Sequence, residues 1–161
     1  MSPLTAHIVP PDQVRTVYPL ARETVPGLDL KTWVAFAQRI THPRRGTQSG
    51  IIAVSRRGRG LPCGMFLYRC EKQLPAGALL VAEHFVALDV LDPEPVVQAL
   101  IAELDSLAER LGCSGIRVLV PGDDSLLREG LQAAGHRPRA VALGKPVDGA
   151  AAPSVKGQAS G

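Results

Sequence analysis

The chain has 161 residues, and 45% of them are hydrophobic, which is enough for one domain with a substantial core. Its formal net charge of +3 is too small to indicate nucleic-acid binding by itself. No stretch reaches the length of a membrane span, and residues 1–13 lack the basic-then-apolar layout of a secretory signal. We therefore expect a cytoplasmic protein without membrane contact.

The chain has three cysteines, Cys63, Cys70 and Cys113. None of them belongs to a Cys-x-x-Cys pair or has a histidine at a metal-binding spacing, so the sequence predicts no metal site. We expect all three thiols to be reduced and to pack as small buried hydrophobic groups.

The N-terminal part of the chain predicts one strand and two helices. Residues 4–9 have the length of a short strand, and a helix opens at Pro11 and Asp12. A second helix begins at Asp29, a favourable N-cap residue, and turns Trp33 toward the core. We interpret Trp33 as a core anchor rather than as a ligand platform.

Two basic clusters flank a predicted hairpin. Residues 50–55 and 61–70 read as its strands, and the turn between them carries one cluster, residues 56–59. The other cluster, residues 42–45, lies at the opposite end of the first strand. No aromatic residue is interleaved with either cluster, so the stacking surface of a single-strand binder is missing. Solvated turns are favoured for both clusters, and we do not expect a nucleic-acid partner.

The most informative part of the chain is a strand followed by a long helix. Residues 78–90 form an almost unbroken apolar run, typical of a strand that is covered on both faces. Apolar residues then recur at helical spacing as far as Gly112, which indicates a helix with one buried stripe and a glycine stop. A turn from strand to helix directs free backbone N–H groups outward. Here Pro95 removes one such group, and Asp92 and Glu94 place negative charge beside it.

The remaining elements complete one domain over residues 1–147. Residues 115–120 read as a strand that runs parallel to residues 78–90 and splays away from it at the C-terminal end. A short helix capped by residues 123–125 follows, and residues 139–147 are predicted to close the sheet. Residues 148–161 are mostly Ala, Gly, Ser and Pro, so we expect a flexible tail.

This order of elements resembles that of the GNAT superfamily of acyl-CoA-dependent N-acyltransferases. The similar segments are residues 17–22 with 28–33, residues 51–55 with 64–66, residues 99–113 and residues 129–138. The resemblance covers about residues 4–147 and implies an α/β (α+β) fold with a mixed, mostly antiparallel central sheet flanked by helices. It also implies acetyl-CoA or another acyl-CoA as the donor, and a small-molecule or protein amine as the acceptor.

The pyrophosphate-binding signature of that family, Gln/Arg-x-x-Gly-x-Gly/Ala, falls on residues 92–97. Asp92 stands at the basic or amide position, and Pro95 and Val97 stand at the glycine positions. A hydrogen bond to a charged group contributes roughly 1.5 to 3 kcal/mol, so losing one or two of them lowers affinity about tenfold to ten-thousandfold. The CoA site is therefore expected to be strongly diverged. Its cofactor-binding residues would be Val86, Ala87, Leu88, Val96, Val97 and Gln98.

The resemblance also locates candidate catalytic residues. Many members carry a tyrosine on the last helix that protonates the leaving thiolate, but the matching residue is Leu131, and His136 stands at a following phenylalanine position. The base that accepts the amine proton is often on the fourth strand, where Glu83 and His84 would lie on opposite faces because strand side chains alternate. Either of them is a candidate base, and Tyr68 is a third.

Two classes of function remain open. One is an N-acyltransferase with a diverged donor site and an amine acceptor. The other is a catalytically inactive GNAT-fold protein that binds or regulates, as a homo-oligomer or with a protein partner. Because fold alone does not settle function, the discriminating observation is whether acetyl-CoA raises the melting temperature of the pure protein.

Overall fold

The computed structural model describes residues 3–46, 48–58 and 60–147. In chain order the elements are β1 (Leu4–Ile8), a 3-10 helix (Pro11–Val17), α1 (Tyr18–Thr24), α2 (Leu30–Ile40), a 3-10 turn (Pro43–Arg45), β2 (Ser49–Arg56), β3 (Pro62–Lys72), β4 (Ala78–Ala87), α3 (Glu94–Arg110), β5 (Gly115–Val118) and α4 (Ser125–Ala133). Within these ranges every helix is too short or too polar to cross a membrane. The tail predicted over residues 148–161 lies outside the described residues.

The five strands form one sheet in the order β1-β2-β3-β4-β5. The first four pair in antiparallel fashion, and β4 and β5 run parallel because α3 connects them as a crossover. The predicted mixed, mostly antiparallel sheet flanked by helices is therefore confirmed.

Both faces of the sheet are buried. On β2, Ile52 and Val54 belong to the core beneath α3 and α4, whereas Ile51 and Ala53 belong to the core beneath α1 and α2. Because alternate side chains of one strand enter two different cores, the central strands have little room for polar residues. This explains the continuous apolar runs in the sequence.

The long helix α3 follows the predicted apolar stripe. Six residues of that stripe are buried: Val96, Val97, Leu100, Ile101, Leu104 and Leu107. The helix ends where Gly112 takes a φ of 67° and the N–H of Cys113 bonds to the carbonyl oxygen of Ala108 at 2.9 Å. The helix and its glycine stop are thus confirmed.

Two predicted helix starts are also confirmed by their caps. The Asp29 carboxylate accepts a hydrogen bond from the N–H of Thr32 at 2.8 Å, and the Asp124 carboxylate accepts one from Leu127 at 3.0 Å. Trp33 is buried and donates its indole N–H to the carbonyl oxygen of Val14 at 2.7 Å. It is therefore a core anchor that ties α2 to the preceding 3-10 helix.

The first predicted helix is divided into two parts. Residues 11–17 form a 3-10 helix, and the α-helix begins only at Tyr18, whose N–H bonds to the carbonyl oxygen of Arg15. Pro19 has no N–H with which to continue an α-helical ladder to Arg15, so a new helical segment starts here. The sequence pattern missed this break.

The predicted closing strand at residues 139–147 is wrong. In the described residues this segment contains no strand, and Val141 and Leu143 are 86% and 95% exposed. Pro138 and Pro146 have no N–H group to donate, and Gly144 weakens the stretch between them. Few residues of the segment can therefore form the backbone hydrogen bonds of a strand. The described sheet therefore ends at β5.

Candidate functional site

The strands β4 and β5 run parallel and then separate. Their pairing extends from Leu79 opposite Gly115 to Ala82 opposite Val118, while β4 itself continues to Ala87. The predicted parallel pair that splays apart at its C-terminal end is confirmed. Beyond Ala82, the side of β4 that faces β5 has no strand partner in the described residues, and its backbone polar groups are open to a ligand.

A small cavity of about 120 Å³ lies against the end of β4, beyond its pairing with β5, and we call it the β4–β5 cleft. Its walls are mostly apolar and come from β4, α3 and the start of α4. The lining residues are Phe85, Val86, Ala87, Pro93, Val97, Leu100, Asp124, Leu126 and Leu127. Phe85 belongs to the core beneath α3, whereas Val86 belongs to the core beneath α1, so the cleft reaches both faces of the sheet.

A β-bulge interrupts β4 beside the cleft. Leu67 of β3 pairs with Glu83, but the next pair is Met65 with Val86, so two residues of β4 lie opposite one of β3. His84 takes a φ of 56°, a left-handed conformation that is uncommon outside glycine. The prediction that Glu83 and His84 lie on opposite faces assumed that side chains alternate regularly along β4. The bulge breaks this alternation at His84. Such strained residues cluster at functional sites.

Glu83 lies on the sheet face that carries α1, because it is paired with Leu67 of that core. Its Oε1 atom accepts a hydrogen bond from Nη1 of Arg69 at 2.7 Å. The other oxygen, Oε2, has no hydrogen-bond donor in the described part of the chain, and the side chain is 30% exposed. One carboxylate oxygen is therefore held in place while the other is available to a ligand.

Arg69 joins Glu83 to a ladder of charged residues across three strands. Its Nε atom donates to Glu71 at 2.9 Å, and Glu71 also contacts Arg117 of β5 at 3.5 Å. Arg69 and Arg117 lie in register on either side of Val81, which is only 1% exposed although it belongs to neither core. A buried valine is therefore flanked by two arginines whose side chains are about half exposed.

The loop after β4 is organised by a carboxylate that the sequence did not single out. Oδ1 of Asp89 accepts hydrogen bonds from the N–H groups of Leu91 at 3.0 Å and Asp92 at 3.3 Å, and Oδ2 pairs with Arg56. The hydrogen bond from Arg56, followed by those two N–H groups, lowers the pKa of Asp89 to about 2. The Asp89 carboxylate is therefore ionised and occupies two backbone N–H groups of this loop.

A carboxylate also occupies a backbone N–H group in the first turn of α3. Oδ1 of Asp92 accepts the N–H of Glu94 at 3.1 Å, and the Glu94 carboxylate accepts a bond from Gln98 at 3.1 Å. Pro95 has no N–H group to offer. Of the first-turn donors, only the N–H of Val96 has no acceptor among the described residues. The protein's own carboxylates thus hold most of the donors that a phosphate would use.

The six predicted cofactor-binding residues fall into different environments. Val86, Ala87 and Val97 line the cleft. Val96 is fully buried, and a Cβ atom at Gly64 would lie 2.6 Å from its Cγ1, so this side chain packs against β3. Leu88 is 45% exposed, and Gln98 lies on the helix surface beside Glu94. The structure brings half of the predicted set together.

The other candidate residues do not reach the cleft. Leu131 is buried in the core beneath α3, and His136 lies 3.8 Å from Asp105. Tyr68 is buried in the same core, where desolvation raises the pKa of its hydroxyl. None of these three side chains lines the cleft.

The pairing of Asp89 with Arg56 predicts an acid-sensitive contribution to stability. Because the folded-state pKa of Asp89 is lowered from 3.8 to about 2, the contribution is complete above about pH 4 and is lost as pH falls toward 2. An Asp89→Asn variant should therefore lose less stability than wild type over this interval. Urea unfolding at pH 6, 4, 3 and 2.5 measures the difference.

Asp12→Asn is the control for this experiment, since Asp12 is exposed and makes no ion pair in the described residues. The free energy of unfolding of this variant should decrease with falling pH as that of wild type does. If the Asp89→Asn and wild-type curves stay parallel down to pH 2.5, Asp89 does not carry the acid sensitivity.

The fold is similar to that of several solved N-acetyltransferases. The glucosamine-6-phosphate N-acetyltransferase from Arabidopsis thaliana gives a TM-score of 0.71 over 91% of this chain and 99% of its own, with 14% sequence identity. An aminoglycoside N-acetyltransferase in complex with CoA gives a TM-score of 0.75 over 92% of this chain and 97% of its own, with 13% identity.

A transcriptional regulator from Bacillus halodurans C-125 is equally similar, with a TM-score of 0.75 over 90% of this chain and 100% of its own at 12% identity. No family model and no curated protein matches the sequence. At these identities the likeness concerns the fold alone. Together with the parallel pair of β4 and β5 joined by α3, it shows that this chain has the GNAT fold.

Proposed function

We propose that the protein is an N-acyltransferase that transfers an acyl group from a thioester donor to an amine. The observation that carries this proposal is the position of Glu83, which lies beside the bulge in β4 with one carboxylate oxygen free. The apolar cleft lies further along β4, beyond its pairing with β5. Glu83 is not itself a lining residue, but it lies two positions before Phe85, which lines the cleft, so a proton acceptor lies close along β4 to a space for an acyl thioester.

The two reactants would meet across the gap between the strands. The cleft lies against α3 and α4, and its apolar walls suit the acyl end of the donor. Glu83 lies on the other face, where an amine can approach its free oxygen. The amine nitrogen bonds to the acyl carbon, the carbon–sulfur bond breaks, and Glu83 takes the amine proton. Because Leu131 has no proton to donate, water protonates the leaving thiolate.

Acetyl-CoA and other acyl-CoA esters are the proposed donors, but their diphosphate does not fit the loop after β4. Asp89 and Asp92 occupy its N–H groups, and Glu94 adds negative charge. We therefore propose that the donor is held mainly through its acyl and pantetheine portions. Neighbours of this fold act on glucosamine-6-phosphate and on aminoglycosides, which supports an amine as the acceptor.

A second candidate is a non-catalytic binding or regulatory protein. The occupied N–H groups of the loop favour it, since they weaken the usual anchor of the donor. The similar structure of a transcriptional regulator also supports a regulatory role. Such a protein would act through a protein partner or as a homo-oligomer.

Comparing two donors in parallel tests the proposal. S-acetyl-pantetheine lacks the nucleotide and the diphosphate of acetyl-CoA, so both compounds should bind with similar affinity if the diphosphate contributes little. Calorimetry measures binding, and thiol release with a panel of primary amines measures transfer. If neither compound binds or reacts with any amine, the non-catalytic alternative leads.

A variant of the loop is expected to restore diphosphate binding. Combining Asp92→Arg, Pro95→Gly and Val97→Gly adds a donor N–H, reverses one charge and lets the backbone approach a phosphate. CoA affinity should rise about tenfold to ten-thousandfold, as estimated from one or two charged hydrogen bonds. Affinity for S-acetyl-pantetheine should not change, and this comparison is the internal control.

The variant should also be less stable, because each glycine in a helical turn costs about 1 kcal/mol. Calorimetry is therefore run on protein whose fold has been checked by circular dichroism. A folded variant with no gain in CoA affinity would show that the cleft as a whole has diverged.

A further inference from the structure

Two of the three cysteines lie against each other. The Sγ atoms of Cys70 and Cys113 are 3.9 Å apart, although the residues are 43 positions apart in the chain. Both thiols are half-buried and free. Cys63 is separate from this pair, and its Sγ atom lies 3.5 Å from the carbonyl oxygen of Val54. The chain thus contains a thiol pair and an isolated thiol of similar exposure.

Backbone hydrogen bonds fix both sides of the pair. On β3, the N–H of Cys70 bonds to the carbonyl oxygen of Gln48 at 2.7 Å. At the end of α3, the N–H of Cys113 bonds to Ala108 at 2.9 Å, and Ser114 bonds to Ala78 of β4 at 2.8 Å. The two sulfur atoms therefore stay close together in the folded protein, which raises their effective concentration toward one another.

We propose that Cys70 and Cys113 form a redox modification site that closes to an intramolecular disulfide in the presence of a small disulfide oxidant such as oxidised glutathione. A disulfide has an S–S length of about 2.0 Å, so closure needs a movement of about 2 Å, within reach of side-chain rotation. The site is independent of acyl transfer, since neither sulfur lines the β4–β5 cleft.

The reaction proceeds through two exchanges. In the first, one protein thiolate attacks a sulfur of oxidised glutathione, a protein–glutathione disulfide forms, and one glutathione thiolate leaves and takes a proton. In the second, the other protein thiolate attacks the protein sulfur of this mixed disulfide, the protein disulfide forms, and the second glutathione leaves as a thiolate and takes a proton. Two protein thiols are oxidised, and one glutathione disulfide is reduced.

The environment of the pair affects the rate of these steps. Burial, followed by contact with the Cys113 thiol, raises the pKa of Cys70 to about 11. Its thiolate is therefore scarce at neutral pH, and because Cys70 must be ionised in one of the two exchanges, that exchange limits the rate of closure. The rate of closure should rise about tenfold per pH unit between pH 7 and 9, because the Cys70 thiolate fraction rises by that factor.

The experiment treats the full chain with oxidised glutathione, digests it without reduction and maps the peptides by mass spectrometry. Wild type and Cys63→Ser should both yield a peptide that links Cys70 to Cys113. A Cys70→Ser variant should instead accumulate glutathione on Cys113. A link across 43 residues should raise the melting temperature by about 10 °C in wild type and in Cys63→Ser.

A Cys113→Ser variant provides the reciprocal control, since it should show neither the linked peptide nor the rise in melting temperature. The proposal is overturned if wild type carries only glutathione adducts, or if its cross-links join Cys63 as often as Cys70. It is also overturned if closure is no faster at pH 9 than at pH 7.

Discussion

A Glu83→Gln variant is expected to transfer acyl groups about 10² to 10⁴ times more slowly than wild type. Glutamine keeps the size of the side chain but cannot accept the amine proton at neutral pH. The fold should tolerate the change, since an exposed ion pair such as that with Arg69 contributes only about 0 to 1 kcal/mol. Steady-state thiol release gives kcat and KM, and the loss should fall mainly on kcat.

Glu71→Gln is the matched control for this variant. Glu71 shares the partner Arg69 and is comparably exposed, at 39% against 30% for Glu83, but it lies opposite Leu79 rather than beside the bulge. It should retain nearly full activity. Equal losses in the two variants would mean that the charged ladder acts only as a structural unit, and Glu83 would then have no role as a base.

Gly64→Ala should destabilise the protein by about 1 to 3 kcal/mol, the usual cost of forcing an extra group into a packed core. A Cβ atom at this position would lie 2.6 Å from Cγ1 of Val96 and 3.2 Å from the backbone oxygen of Val86. The first turn of α3 would have to move away from β3. Urea unfolding of the variant and of wild type measures the effect.

Two further variants locate the cause. Gly122→Ala should be nearly neutral, because a Cβ atom there meets nothing within 4 Å. Adding Val96→Ala to Gly64→Ala removes the colliding methyl group, so the two changes should couple favourably by about 0.5 to 3 kcal/mol. Strictly additive effects would show that the contact between Gly64 and Val96 does not limit the approach of α3 to the sheet.

The elements best predicted from the sequence are those that depend on burial pattern, helical period or contacts within one turn. The unbroken apolar run of β4 follows from burial on both faces, and the stripe of α3 follows from its helical period. The cap at Asp29 depends on contacts within one turn. Once β4, α3 and β5 had been identified, the handedness of crossovers required the parallel pair, and hence the position of the cleft.

The details of the site depend on contacts between distant segments. The bulge at His84 arises from the register of β4 against β3, which the β4 sequence alone does not encode. Asp89 pairs with Arg56, which lies 33 positions away in the chain, so the pairing could not be recognised from the sequence. The strand predicted at residues 139–147 had suitable alternation, but Pro146, the preceding Pro138 and Gly144 leave it few residues that can form a hydrogen-bond ladder.

The exposure of the two arginines that flank Val81 affects how a ligand reaches Glu83. Arg69 and Arg117 are 42% and 55% exposed, so they change rotamer at the surface on a picosecond to nanosecond timescale. Motions of packed helices and lids are far slower, from microseconds to milliseconds. A ligand that approaches Glu83 from this side displaces flexible side chains rather than a secondary-structure element. We therefore expect a ligand to reach this carboxylate by exchanging with the ion pair of Arg69, without movement of a helix or strand.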